Sequence, residues 1–342
     1  MKYIAPYWLP GGNLQTIWAA TQSIKSLQTA HPTYRRERWT TSDGDFVDVD
    51  FADSAVLNGQ LKPEKRPLLV LFHGLEGSSK SHYALAFERI ARARGWAYAV
   101  PHFRGCSGEI NRAPRAYHSG DYEEIGWMLE QLKAAHESVS GGPIIAVGIS
   151  LGGNALMRWA QEAGSLAAQT VKAVASVCSP LDLTASGVAI GKGFNRMVYT
   201  RMFLQSMKPQ ALKRLTLHPG LFDAKALQNS RDLYEFDNIF TAPVHGFKNT
   251  EDYWQRASAK QHMHRIQLPA LALNAVNDPF IPAWSLPKSS DISRHVTLWQ
   301  PAQGGHVGFP QGKFPAQVMA MPQAVSTWLA THLPSETSRF SR

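Results

Sequence analysis

Residues 144–153 read Ile144-Ile145-Ala146-Val147-Gly148-Ile149-Ser150-Leu151-Gly152-Gly153. Ile144 to Ile149 is a short continuous apolar run, the pattern of a strand buried on both faces. Leu151 to Ala163 follows with helical periodicity. Between them lies a Gly-x-Ser-x-Gly on a strand-to-helix turn. Side chains two residues either side of the serine would crowd such a turn, so both positions call for glycine. The turn lifts the Ser150 hydroxyl above the sheet edge, and the helix N-terminus beside it favours developing negative charge.

Working outward, the chain alternates strand and helix. Pro67 to Phe72 and Trp96 to Val100 read as strands, as does Val171 to Val177. Ser81 to Arg94 and Tyr122 to Ala135 read as helices. Repeated βα units of this length predict a parallel sheet with helices on both faces. Upstream, Tyr34 to Thr41 and Phe46 to Phe51 form two strands around the turn Ser42-Asp43-Gly44-Asp45. Val47 and Val49 alternate with Asp48 and Asp50 there, as on a half-exposed antiparallel edge. The rhythm stops after Val177 and resumes with the strands Pro269 to Ala275 and His295 to Gln300 and the helix Gln317 to Leu333. The expected organisation is a core of residues 1–182 and 266–342, with a helical cap inserted at 183–265. The polar tail after Pro334 is expected to fray.

A serine nucleophile needs a base, and the base needs an orienting carboxylate. On this architecture the order is Ser, acid, His. Asp278 sits in a Pro-stiffened loop just past the 269–275 strand, and His306 in a Gly-Gly-His loop past the next strand. Asp182, Asp237 and Asp252 are rival acids, but none closes an apolar strand. His73 and His102 precede the nucleophile, in the wrong order for the base. The oxyanion hole requires two backbone N–H groups: Leu151, directly after the serine, and Leu75, in His73-Gly74-Leu75-Glu76-Gly77. His73 is expected to brace that loop, and Glu76 to point away or bond the loop. Met197, Tyr199, Met202 and Phe203 are candidates for a substrate pocket in the cap.

Taken together, these motifs resemble the α/β-hydrolase superfamily and, more narrowly, the YheT-like esterases. The resemblance is carried by Asn13-Leu14-Gln15-Thr16, His73 to Gly77, Phe103-Arg104-Gly105-Cys106-Ser107-Gly108 and Tyr117-His118-Ser119-Gly120. Gly148 to Asn154, Asn277-Asp278-Pro279-Phe280 and Gly304 to Phe309 complete it, so that it covers residues 13 to 309. Asn13 departs from the family, which commonly has His before Leu-Gln-Thr. The resemblance implies an α/β-hydrolase fold with a mostly parallel eight-stranded sheet. It also implies a serine carboxylic-ester hydrolase acting on simple esters or acyl lipids. No cofactor or metal is called for, and no His-Glu-x-x-His or comparable ligand spacing occurs.

Composition bounds the remainder. The chain has 342 residues, 44% hydrophobic and 18% charged, a globular balance. Its net charge is +9, and the 183–265 segment carries 12 Lys plus Arg against 6 Asp plus Glu. That leaves peripheral contact with an anionic membrane open, but no basic helix with interleaved aromatics, zinc knuckle or RNP motif points to nucleic acid. Cys106 and Cys178 are too few for a disulfide framework or a Cys-rich zinc site and are expected to be free. Pro6, Pro10, Gly11 and Gly12 break up any signal-peptide core, and no stretch of 18 apolar residues occurs, so a cytoplasmic location is expected. An acyltransferase on the same triad and a lipid-binding pseudohydrolase stay open as alternatives, and the oligomeric state is undetermined.

Overall fold

The apolar runs become strands in the computed structural model, which describes residues 2–27, 32–52, 56–57, 60–61 and 65–334. The tail after Pro334 lies outside them. The main-sheet strands are β1 (Arg35–Thr40), β2 (Phe46–Ala52), β3 (Leu68–Phe72), β4 (Ala97–Pro101), β5 (Ile144–Ile149), β6 (Ala173–Val177), β7 (Ala270–Leu273) and β8 (Val296–Trp299). They form one eight-stranded sheet in the order β1-β2-β4-β3-β5-β6-β7-β8. The β1–β2 and β2–β4 pairs are antiparallel, and every other pair is parallel. From β3 the chain steps first to β4 on one side and then to β5 on the other. Such a reversal opens a crevice at the carboxyl ends of the strands, and Ser150 sits there, directly after β5.

The helices that concern the site are α1 (Gly11–Leu27), α2 (His82–Ala93), α3 (Tyr122–Val139), α4 (Leu151–Ala163), α5 (Leu183–Ile190), α6 (Arg201–Leu217), α7 (Thr250–Ala257) and α8 (Ala320–Ala330). Alternate residues of the central strands feed two cores. Leu68, Val70 and Phe72 pack with Met128 of α3 and Leu156 of α4 on one face. Leu69 and Leu71 pack with Phe87 of α2 and Val325 of α8 on the other. The α1 helix adds a further layer, with Ala19 against Ala86 of α2 and Val318. No described helix is long and apolar enough to cross a membrane.

One expectation needs correcting. β2 is not an edge strand, because β1 covers it on one side and β4 on the other. Asp48 and Asp50 are each only 2% exposed. Arg36 grips Asp50 through Nε and Nη2 at 2.6 and 2.8 Å, and Arg38 grips Asp48 at 2.7 and 2.8 Å. Asp50 also accepts from Ser79 Oγ at 2.6 Å. The Val/Asp alternation therefore separates an apolar face from an ion-paired one. These arginines hold both carboxyls below the usual range.

Between β6 and β7 the described residues form helices and loops with no strand. Residues 193–217 are helical throughout, with a π-helical turn at Arg196–Thr200 preceding α6. Leu204 and Ala211 of α6 pack with Leu227, Phe236, Phe240 and Ala116 in a separate small core. Asn154 of α4 ties the end of this segment down: its amide donates to Ala257 O at 2.8 Å and its oxygen accepts from Ala259 N–H at 3.1 Å.

Candidate active site

Ser150 has φ 53° and ψ −118°, a strained conformation for a residue with a Cβ. Its N–H donates to Val177 O of β6 at 2.8 Å, and its carbonyl accepts from Gly153 N–H, so the turn is pinned on both sides. A Cβ on Gly152 would lie 2.4 Å from His73 O, and one on Gly148 would lie 2.5 Å from Gly152 O. Both glycines are thus required by backbone contact.

The loops after β7 and β8 bring Asp278 and His306 to this serine. His306 Nε2 is 3.0 Å from Ser150 Oγ, and Nδ1 is 2.8 Å from Asp278 Oδ2. The carboxylate favours the proton on Nδ1, which leaves Nε2 free to accept from the serine hydroxyl. Asp278 is 6% exposed, and its Oδ1 accepts from Phe280 N–H at 2.8 Å. The Phe280 ring lies 4.2 Å from the imidazole, centroid to centroid, and packs against its face. Ser150, Asp278 and His306 are therefore brought together, whereas the rival acids are placed otherwise. Asp182 caps α5 by accepting from Ala185 N–H, Asp252 is held by Lys248 N–H and Arg256, and Asp237 accepts from Thr241 and Trp254.

A support that sequence reasoning left without a role comes from α1. Gln15 Oε1 accepts from Gly304 N–H at 2.9 Å and from Asn277 Nδ2 at 3.1 Å. Thr16 Oγ1 accepts from His306 N–H at 2.8 Å, and Asn277 Oδ1 accepts from Gly305 N–H at 3.0 Å. The Asn13-Leu14-Gln15-Thr16 motif thus holds the Asp278 loop and the His306 loop in one network. Asn13 itself accepts from Tyr199 Oη at 2.9 Å. The signal was in the sequence as a motif, but its partners lie more than 260 residues away.

Leu75 and Leu151 both line the pocket beside Ser150 and His306. Neighbouring N–H groups of the Leu75 loop are engaged: Gly74 with Tyr83 Oη, Glu76 with Tyr117 Oη, and Gly77 with Gly74 O. Among the described residues, neither Leu75 N–H nor Leu151 N–H donates a hydrogen bond. His73 Nδ1 meets Gly74 O at 2.8 Å and its Nε2 accepts from Phe103 N–H at 3.1 Å. Complete burial holds it neutral, with its pKa pushed down to about 3. Glu76 accepts from Tyr117 Oη at 2.9 Å and from Gln210 Nε2 at 2.8 Å, so both its oxygens are turned into the loop and α6.

The pocket above Ser150 has a volume of about 120 Å³. Its walls are mostly apolar, from Leu183, Ile190, Phe203, Met207, Leu233 and Trp254 of the 183–265 segment and from Phe280 and Ile281. Phe203 is on this wall. Tyr199 is buried behind it, its ring 4.6 Å from Phe280. Met197 and Met202 are a correction: they are 69% and 53% exposed, turned to solvent on the far side of the helix. Asp237 also reaches the pocket, and burial raises its pKa to about 6. Cys106 and Cys178 are free thiols, each pushed up by burial and so held un-ionised. Among the described residues, no three His, Cys, Asp or Glu side chains converge as a metal site.

A family model described as "alpha/beta hydrolase fold" matches residues 67–313. The chain is 37% identical over 304 residues to "Putative esterase YheT" of Escherichia coli (strain K12), covering 88% of this chain and 86% of that one. It is 27% identical to "Phospholipase ABHD3" of Bos taurus, over 83% of this chain and 68% of that one. Among solved structures it resembles a Pyrococcus furiosus esterase, Pf2001, with TM-score 0.56 at 15% identity, covering 97% of each chain, a likeness of fold. With a serine on a strained turn after β5 and this match across most of its length, the chain belongs to the α/β-hydrolase family and, within it, to the YheT-like proteins.

Proposed function

We propose that the chain hydrolyses carboxylic esters through an acyl-enzyme on Ser150. The observation that carries this reading is the continuous relay from Asp278 Oδ2 through His306 to Ser150 Oγ, at 2.8 and 3.0 Å, opening into an apolar pocket. His306 Nε2 takes the hydroxyl proton as Oγ attacks the ester carbonyl. The carbonyl π pair moves onto oxygen, and Leu75 and Leu151 N–H groups receive the resulting oxyanion. Each such donor is worth about 3 kcal/mol in the transition state. Collapse expels the alkoxide, which His306 protonates. Water then repeats the sequence on the acyl-enzyme and releases the acid. Asp278 holds the imidazole and stabilises the imidazolium between the two steps.

Residues 183–265 act as a cap whose apolar wall accommodates a short or medium acyl chain. The names of the relatives, an esterase and a phospholipase, agree with simple esters or acyl lipids as the substrate class. The cap carries 12 Lys plus Arg against 6 Asp plus Glu, which suits a negatively charged substrate or membrane surface. Free thiols at Cys106 and Cys178 agree with a cytoplasmic location.

The test is Ser150→Ala on p-nitrophenyl butyrate, with fluorophosphonate labelling of the native chain. Turnover should fall on the order of 10⁶-fold, label should appear on Ser150, and circular dichroism should report an unchanged fold. Turnover that survives the substitution would overturn the assignment. Mass analysis with added alcohol acceptors separates hydrolysis, which yields free acid, from acyl transfer, which yields a new ester.

A further inference from the structure

We propose that Arg214 forms a subsite for a negatively charged group of the substrate, beside the oxyanion N–H groups. This inference rests on the ester-hydrolase reading and names the chemistry of its substrate.

Arg214 lies on α6 and is 5% exposed. Its Nε is shut off from solvent with no hydrogen-bond partner. Among the described residues its side chain donates no hydrogen bond and joins no ion pair. Arginine stays charged at any physiological pH and carries five donors in a rigid fork, so a buried guanidinium without a partner is an unmet demand for an anion. Burial weighs against this cation and pushes its pKa down from the ordinary value.

Arg214 lines a cavity of about 60 Å³. That cavity shares Leu75, Leu151, Met207, Asp237 and Tyr253 with the pocket over Ser150, so the two adjoin beneath the cap. The shared Leu75 and Leu151 give the direction in which a substrate with its carbonyl at Ser150 would reach this guanidinium.

The carboxylates and the other arginine on the walls already have hydrogen-bond partners. Arg104 contacts Glu124, Asp43 and Asp45 at 2.6, 2.7 and 3.2 Å. Asp45, the carboxylate that acts most on Arg214, also accepts from Asn111 and from the N–H groups of Arg112 and Ala113. Both oxygens of Glu76 are taken by Tyr117 and Gln210, and those of Asp237 by Thr241 and Trp254. Arg214 is left as the group that a ligand carboxylate or phosphate would complete, by a forked pair of charge-assisted hydrogen bonds.

The experiment compares native chain, Arg214→Gln and Arg214→Lys on two matched ester pairs. In the first, p-nitrophenyl hydrogen adipate against p-nitrophenyl hexanoate, the anion is a carboxylate on the acyl chain. In the second, 1-hexanoylglycerol 3-phosphate against 1-hexanoylglycerol, it is a phosphate on the alcohol. The anionic-to-neutral ratio of kcat/KM should fall about tenfold or more in Arg214→Gln for at least one pair, and the pair that responds identifies the source. Arg214→Lys keeps the charge but loses the fork and should lie between. If the Gln variant does not fold, the Lys variant alone should show a fall of about threefold. Equal ratios in every folded protein for both pairs overturn the proposal. Should the native chain show neither turnover nor fluorophosphonate labelling, the ester-hydrolase reading fails by itself. The subsite is then judged by calorimetry with adipate and inorganic phosphate: binding lost in Arg214→Gln supports it, and no binding to the native chain overturns it.

Discussion

Asp278 is one of four carboxylates that the sequence offers as the acid partner of Ser150, and geometry singles it out. Its Oδ2 is 2.8 Å from His306 Nδ1 while its Oδ1 is fixed by Phe280 N–H. Asp278→Asn would place an amide opposite the imidazole and favour the wrong tautomer. It should lower kcat on p-nitrophenyl butyrate about 10⁴-fold with KM little changed. A comparable fall in Asp252→Asn instead would move the acid to Asp252. The juxtaposition of Ser150, Asp278 and His306 was legible because each follows an apolar strand, in the chain order that the architecture demands. The pocket was legible in part. Tyr199, Phe203 and Met207 recur every four residues and so share one helical face, with Phe203 and Met207 reaching the cavity. Met197 and Met202 lie off that face and meet solvent. Closeness in sequence and apolar character do not say which side of a helix a residue occupies, and the π-helical turn at Arg196–Thr200 shifts the register further.

The α1 helix carries the lesson at the scale of elements. Pro10, Gly11 and Gly12 read as breakers, yet α1 begins at Gly11, whose φ of 78° is open to glycine. Gly12 is needed because a Cβ there would lie 1.8 Å from Asn277 O. The helix docks on the Asp278 and His306 loops, and nothing local in its sequence announces contacts at that range. The β1–β2 hairpin shows the same limit, since its Asp/Val alternation revealed two faces but not the arginines that bury the polar one. Gln15→Ala leaves Gly304 N–H and Asn277 Nδ2 without their acceptor and loosens the His306 loop. Leaving a buried donor unmet costs about 1–3 kcal/mol of stability. A displacement near 1 Å at His306 lowers kcat roughly 10²-fold, with KM little affected. Gln15→Glu keeps the acceptor and should recover part of that loss. Steady-state kinetics on p-nitrophenyl butyrate, paired with thermal melts, decides the matter: a loss of melting temperature with kcat intact would make α1 merely structural.

Across the whole molecule, the acid limit of stability follows from histidines kept neutral. Burial lowers His73 and His118 to about 3 and His82 to about 4, and lowers His245 as well. In the unfolded chain each binds a proton near pH 6.5. Below that value the unfolded state takes up protons that the folded state refuses, so stability falls as pH drops from 6.5 toward 4. Two carboxyls oppose this. Burial raises Asp237 to about 6 and, with Asp121 adjacent, raises Glu124, so their folded forms bind protons first and stability rises as they protonate. Four groups outweigh two. His73 has no exposure, but His82, His118 and His245 keep an edge toward solvent and count for less than their full shifts. The balance is a net uptake of one to two protons, about 2 kcal/mol per pH unit near pH 5. The aspartates of β2, held low by Arg36 and Arg38, add their loss only as pH falls below about 4. Urea midpoints should therefore drop steeply between pH 6.5 and 4.5. His82 Nε2–H donates to Val307 O at 3.2 Å, a bond that a glutamine amide can replace without titrating. His82→Gln should flatten the profile by up to one proton, about 1.4 kcal/mol per pH unit. Profiles that stay parallel for the two proteins would remove His82 from the acid-sensitive set.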